Sequence, residues 1–144
     1  MESLMNMDDF FFSAEDDALA EKIAAFFPKT SPTSDAAFMA NIAIGNVKPE
    51  RLNDHVGQTF RLCGYHAKKR RFQDGKDGKI STLFCRDSAD KLKALSTTSE
   101  KVYEALSIIS MIYRENIGSG IPIKIRSYQT GNQGTGFTLE VLNE

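Results

Sequence analysis

The pattern of apolar and polar residues predicts β-strands in four short stretches of the chain, two by their composition and two by alternation. The first two stretches, 59–66 and 80–86, are rich in aromatic and aliphatic residues and are bounded by turn formers. Between them stand Asp74-Gly75 and Asp77-Gly78, which supply the left-handed backbone positions that a chain reversal needs. The pattern therefore predicts a hairpin with a loop over residues 67–79.

Residues 121–128 and 136–142 predict a second pair of strands. In the first stretch, isoleucines at alternate positions are separated by Lys124 and Arg126, so one face is apolar and the other is cationic. In the second stretch, apolar residues occupy every other position from Phe137 onward. Both strands fit a small barrel with the isoleucines inside.

Apolar residues at helical spacing predict a helix over residues 98–115. Thr97 and Glu100 have the spacing of a capping box at its start, and Gly118 follows its end. A short strand at Lys91–Leu95 is predicted just before this helix.

The N-terminal part has a different pattern. Residues 1–12 lack helical periodicity and are predicted to form a mobile arm. A helix is expected from Ser13, which can cap it, to Phe27, because apolar residues recur there on one face and Pro28 ends the run. Residues 29–35 have the composition of a linker.

Two short segments precede the first predicted strand. Residues 36–47 fit either a strand or a short helix, with Ile42, Ile44 and Val47 suggesting an extended segment that enters the core. Residues 49–54 predict one helical turn.

The order of elements is strand, strand, short strand, helix, strand, strand. This is the order of an OB-fold, a five-stranded Greek-key barrel with its helix between the third and fourth strands. The sequence thus predicts a mainly β protein with helices, in which residues 1–35 form an acidic, Phe-rich N-terminal arm and 36–144 form the OB-fold domain.

Charge is distributed unevenly along the chain. Residues 1–21 contain seven acidic residues and no Lys or Arg, whereas the whole chain contains 18 basic and 19 acidic residues. The remaining residues therefore hold 18 basic and 19 − 7 = 12 acidic residues, a net charge of +6. A basic body of this kind suggests a nucleic-acid partner.

The candidate binding residues combine cations with aromatic rings, which a single-stranded nucleic acid requires for phosphate neutralisation and base stacking. The run Lys68–Arg71 is followed by Phe72, and further rings and cations occur on the predicted strands. The candidates are Arg61, Tyr65, Lys68, Lys69, Arg70, Arg71, Phe72, Phe84, Arg86, Tyr113, Lys124, Arg126, Tyr128 and Gln133, with Lys76 and Lys79 as additional phosphate contacts.

Some of these assignments have alternatives. The cationic run also fits a solvated surface without a partner. Phe84 fits the core as well as a stacking role, and Tyr113 fits packing better than stacking. Tyr65 and Tyr128 are the preferred stacking candidates because each is in register with cations.

Five segments carry a resemblance to a known family: GQTFRLCGYHAKK, KISTLFCRD, EKVYEALSIISMIY, GIPIKIRSY and GTGFTLEVL. Over residues 56–142 the chain resembles OB-fold single-stranded-DNA-binding proteins of Gram-positive conjugative plasmids (PrgE-like proteins), and more distantly those of φ29-like phages. The resemblance implies a cytoplasmic protein that coats single-stranded DNA without strong sequence preference during plasmid conjugation or replication. It leaves open whether RNA also binds.

Other function classes receive less support. A protein-interaction adapter that uses the Phe-rich arm, with the barrel as scaffold, is the main alternative. The sequence contains no phosphate loop, metal-ligand cluster or nucleophile with a recognisable base, so we expect neither an enzyme nor a cofactor. No stretch is apolar enough to span a membrane. Cys63 and Cys85 are expected to be buried thiols rather than a disulfide.

The arm also predicts self-association, because its aromatic clusters have no place in a five-stranded barrel. The residues expected at the contact between subunits are Phe10, Phe11, Phe12, Leu19, Ile23, Phe26 and Phe27.

Overall fold

The computed structural model describes residues 24–26, 33–71, 74–131 and 134–143. The strands are β1 (Ala24–Phe26), β2 (Glu50–Arg51), β3 (Thr59–Arg71), β4 (Asp77–Arg86), β5 (Leu92–Thr97), β6 (Ile121–Gln129) and β7 (Thr135–Val141). The α-helices are α1 (Thr33–Ile44) and α2 (Glu100–Tyr113), and short 3-10 helices cover Leu52–His55 and Arg114–Ser119.

The strands form one curled sheet in the order β2-β5-β4-β3-β6-β7. All neighbours on this path are antiparallel except β2 and β5, which are parallel. The long strand β3 has two partners along one edge, because its first residues pair with β6 and residues 65–67 pair with β1. The predicted strands, including the short third one, are therefore confirmed, within a mainly β architecture with two helices.

The first hairpin differs from its prediction in the position of its turn. Strand β3 continues through Arg71 and β4 begins at Asp77, so the cationic run Lys68–Arg71 belongs to a strand rather than to a loop. Gly75 has a positive φ of 83°, whereas Gly78 pairs within the sheet opposite Arg70. Only the first Asp-Gly pair makes the predicted left-handed turn.

A β-bulge interrupts β3 at Cys63, because the pairing with β4 passes from Leu62 opposite Cys85 to Gly64 opposite Phe84. An extra residue in one strand reverses the alternation of side chains beyond it. Arg61 is exposed before the bulge, and Tyr65 is buried after it. Without the bulge, these two residues would share a face.

The main core lies inside the curl of the sheet. It includes Leu62, Leu83 and Leu95 from the three central strands, the isoleucines of β6, and Val102 and Leu106 of α2. The predicted alternation in β6 is confirmed, since Ile121, Ile123 and Ile125 are buried while Arg126 and Tyr128 are exposed.

A second apolar cluster lies on the opposite face of the sheet, under α1. Met39 and Ile42 of this helix pack with Phe84 and Ala94, and Phe38 packs against the same cluster. Segment 36–47, for which the sequence allowed a strand or a helix, is thus helical up to Ile44. Ile44 and Val47 are exposed rather than buried in the core.

The helix α2 begins at Glu100, the acidic residue of the predicted capping box, and Ser99 is its N-cap. The Ser99 hydroxyl accepts a hydrogen bond from the Val102 N–H at 3.2 Å and donates one to the Phe137 carbonyl at 2.9 Å. Thr97, the predicted cap, is the last residue of β5. Of the predicted apolar stripe, Ile109 is buried, whereas Ile112 is 69% exposed.

The N-terminal predictions are only partly within the described residues. The predicted helix 13–27 is wrong at 24–26, where the chain forms β1 and Phe26 lies opposite Tyr65. The predicted linker 29–35 is wrong from Thr33, where α1 begins. The boundary between residues 35 and 36 therefore falls inside a helix. The helical turn predicted at 49–54 is confirmed in part, since Glu50–Arg51 form β2 and a 3-10 helix follows at Leu52–His55.

Candidate nucleic-acid interface

The strongest concentration of positive charge lies on the β3–β4 hairpin. Between residues 68 and 79 the sequence has six basic and two acidic residues, a net charge of 6 − 2 = +4. We call Lys68, Lys69, Arg70, Arg71, Lys76 and Lys79 the basic hairpin. Since its strands extend past the main core, its cations are half-buried or exposed.

Strand alternation divides the basic hairpin between two faces. Lys69 lies opposite Lys79, and Arg71 lies opposite Asp77, on the face that holds the main core. Acidic groups partly neutralise this face, because Arg71 pairs with Asp77 at 3.3 Å and Lys79 with Glu100 at 3.5 Å. The Lys79 ammonium also lies 4.9 Å from the centre of the Tyr103 ring.

Lys68 and Arg70 lie on the other face, opposite Ile80 and Gly78. Burial, with a smaller contribution from the nearby Arg70 cation, lowers the pKa of Lys68. Lys68 and Arg70 carry like charges at a partly desolvated position. A phosphate group bound there would therefore reduce their electrostatic repulsion.

Two of the predicted stacking rings are not accessible. Tyr65 is 3% exposed in the main core, where burial raises the pKa of its hydroxyl group in spite of an interaction with Ser110. Phe84 is fully buried under α1, as its alternative interpretation required. A buried ring has no face for a base, so both residues leave the set of stacking candidates.

Two cations predicted for the same site lie at the far end of the hairpin. Arg61 and Arg86 are cross-strand partners, about 30 Å along β3 from Arg71 at the usual rise per residue. Arg61 donates a hydrogen bond to the Gly120 carbonyl at 3.1 Å, and Arg86 forms ion pairs with Asp35 and Asp90. These interactions indicate structural roles that join α1 and the β4–β5 turn to the sheet.

The other predicted residues have varied positions. Tyr113 is half-buried against the main core, in agreement with a packing role. Lys124 is half-buried, and Arg126 pairs with Glu140 at 3.0 Å. Phe72, Gln133 and the proposed self-association residues other than Phe26 lie outside the described residues.

A cleft of about 540 Å³ lies beside the basic hairpin, where the end of β5 and the start of α2 approach the β6–β7 hairpin. Its lining includes Ile80, which is directly opposite Lys68, and Tyr128, the one predicted ring that is accessible there at 36% exposure. Arg51 and Lys101 also line it. Sequence reasoning missed both because their local sequence has no distinguishing pattern, and only the fold brings them to Tyr128.

His66 is an unusual member of β3. It is 3% exposed and lies opposite Thr82 on one side and Ala25 of β1 on the other. Burial, reinforced by the Lys68 cation, lowers the pKa of His66 to about 4. The imidazole is therefore neutral at neutral pH and adds no charge to the basic hairpin.

Other chemistry is not evident in the part of the chain that the structure describes. Cys63 and Cys85 are free and buried, as predicted, and burial raises the pKa of both thiols. No group of three or more His, Cys, Asp or Glu residues in the described ranges could hold a metal ion. Nor is any described helix long and apolar enough to cross a membrane.

Comparison with known proteins adds no identification. The chain matches no protein-family model, no curated protein and no solved structure.

Proposed function

We propose that this protein binds single-stranded DNA without strong sequence preference, through the basic hairpin and the adjoining cleft. The observation that carries the proposal is that these two features are adjacent: Lys68 lies opposite Ile80 in the sheet, and Ile80 lines the cleft that contains Tyr128. A strand that follows this path meets cations for its phosphates and a ring for its bases. Electrostatic tracking combined with stacking is how sequence-tolerant binding of single strands is achieved.

The strand order supports a more specific description of the fold. In β5-β4-β3-β6-β7, each neighbouring pair is one that a five-stranded OB barrel contains, and α2 stands between the third and fourth of these strands in the chain. OB-folds bind oligonucleotides with the loops between strands one and two and between strands four and five. The corresponding hairpins here are β3–β4 and β6–β7, which adjoin the cleft. We therefore propose an open OB-fold.

The resemblance to plasmid-encoded proteins extends the proposal to a biological setting. Coating of DNA in conjugation or replication, with self-association through the N-terminal arm, is the role that we propose on that basis. Cytoplasmic localisation belongs to the same proposal.

The test is fluorescence anisotropy with labelled oligo-dT, an RNA of matching length and a DNA duplex, each measured across a salt series. Affinity for the single strand should fall steeply with salt, by about 0.7 in the log–log slope per phosphate contact. Equal and weak binding to all three probes would refute the proposal.

The two faces of the basic hairpin provide matched variants with the same loss of charge. Lys68→Gln/Arg70→Gln should weaken binding and reduce the salt slope by about 1.4 if each cation contacts one phosphate. Lys69→Gln/Arg71→Gln should weaken it less, because acidic residues already neutralise part of that face. If neither double variant changes the affinity, the basic hairpin is not the binding site.

A further inference from the structure

The cleft has the components of a nucleotide-binding site. Its volume of about 540 Å³ falls within the range of roughly 300–1,000 Å³ that is typical of small-ligand pockets. Polar groups from β5 and the start of α2 form one wall, and the β6–β7 hairpin forms the other. Two aromatic residues, Tyr128 and Phe137, and two cations line it.

The position of the ring depends on a glycine. Tyr128 pairs across the strands with Gly136, and a Cβ atom added at Gly136 would overlap the Tyr128 ring. The ring therefore lies against the bare backbone of β7, which supports it without a competing side chain. It lines the cleft and remains 36% exposed, so part of its surface is accessible to a base.

The two cations reach the cleft from separate elements. Arg51 comes from β2, and Lys101, in the first turn of α2, has its ammonium 5.7 Å from the centre of the Tyr128 ring. Neither forms an ion pair with another described residue. The acidic residue of the cleft, Glu100, is paired with Lys79. The flexible lysine stem allows the ammonium to move from the ring to a phosphate.

We propose that this cleft binds one nucleotide of the DNA strand, with the base on the Tyr128 ring and a phosphate held by Arg51 and Lys101. The inference rests on the proposed single-strand binding and assigns it a defined subsite. Arg51 and Lys101 are new binding residues, and Gly136 is a positioning residue for the ring.

The experiment measures the affinity of the full chain for labelled oligo-dT with single variants of the cleft. Tyr128→Ala should weaken binding about tenfold, since loss of stacking on one base has an effect of this order. Tyr128→Phe keeps the ring and should retain the wild-type affinity. Lys101→Gln and Arg51→Gln should each weaken binding and reduce the salt slope by about 0.7.

Lys91→Gln is the matched control, because it removes the same charge from the β4–β5 turn at the opposite end of these strands. It should leave the affinity unchanged. If the wild type binds oligo-dT but the cleft variants behave like Lys91→Gln, the subsite is wrong and the proposed function stands. If the wild type does not bind, the proposed function itself fails and the subsite fails with it.

Photo-crosslinking tests the same subsite without a mutation. An oligo-dT in which one thymine is replaced by 5-iodouracil is bound to the wild-type protein and irradiated, and the modified peptide is mapped by mass spectrometry. Attachment at Tyr128 supports the proposal. Attachment confined to peptides outside the cleft overturns it, and this outcome is independent of the folding of any variant.

Discussion

Acid should destabilise this protein through His66, and the effect can be calculated from the structure. His66 is 3% exposed between β1 and β4, and its pKa is lowered to about 4 by burial and by the Lys68 cation. In the unfolded chain a histidine titrates at about 6.5. Between these two values the unfolded state binds more protons than the folded state, so the free energy of unfolding decreases as the pH falls.

The magnitude follows from the difference between the two pKa values. A shift of one unit corresponds to about 1.4 kcal/mol, so the full effect below about pH 4 is roughly 3 kcal/mol. Between about pH 7 and about pH 4.5, linkage gives a loss of about 2 kcal/mol from this single group. Above about pH 6.5 the contribution is fully retained.

The assay is urea unfolding of the wild type and of His66→Asn, monitored by circular dichroism at about pH 7 and at about pH 4.5. Asparagine is polar but does not titrate here, so the difference in stability between the two proteins should change by about 2 kcal/mol between the two pH values. Other titratable groups also respond to acid. Their contribution cancels because both proteins contain them.

A second variant isolates the effect further. In a His55→Asn background, which removes the other histidine, the same difference should persist. If wild type and His66→Asn lose stability in parallel as the pH falls, then His66 is not held neutral by its environment and the reasoning is refuted.

Two further predictions concern residues whose roles the structure reassigned. Ser99→Ala should destabilise the fold by about 1–2 kcal/mol in thermal or urea unfolding, because it removes both the N-cap of α2 and the hydrogen bond to β7; a larger effect of Thr97→Ala would instead favour Thr97 as the cap. Phe84→Ala should lower the free energy of unfolding by about 3–5 kcal/mol, since it leaves a cavity under α1. Affinity of the folded Phe84→Ala protein for oligo-dT should be unchanged, and a specific loss of affinity would restore Phe84 as a stacking residue.

Local sequence patterns were sufficient to predict most of the sheet. The alternating isoleucines of β6 and the apolar repeat of α2 are local patterns, and burial follows them directly because one face of each element must leave water. The capping position was predicted less well. Ser99 and Thr97 are chemically similar, and the choice depends on where β5 ends and on the contact of Ser99 with the Phe137 carbonyl.

The candidate site depended more on tertiary structure. Arg61 and Tyr65 stand four residues apart and would share a strand face, but the bulge at Cys63 moves Tyr65 into the core. No local sequence pattern predicts the bulge, because the additional residue is defined by the pairing with β4. For a related reason, the sequence did not decide between a core role and a stacking role for Phe84. Its burial requires α1 to cover the outer face of the sheet.

The sequence by itself determined the basic character of the body, the strand and helix pattern and the cations of the basic hairpin, because these are properties of consecutive residues. Only the tertiary structure decided which rings are accessible and which distant residues meet. Arg51, Lys101 and Tyr128 are far apart in the chain and line one cleft only because β2 pairs with β5 and α2 returns beside the β6–β7 hairpin. These contacts depend on long-range strand pairing, which the residues adjacent in sequence do not predict.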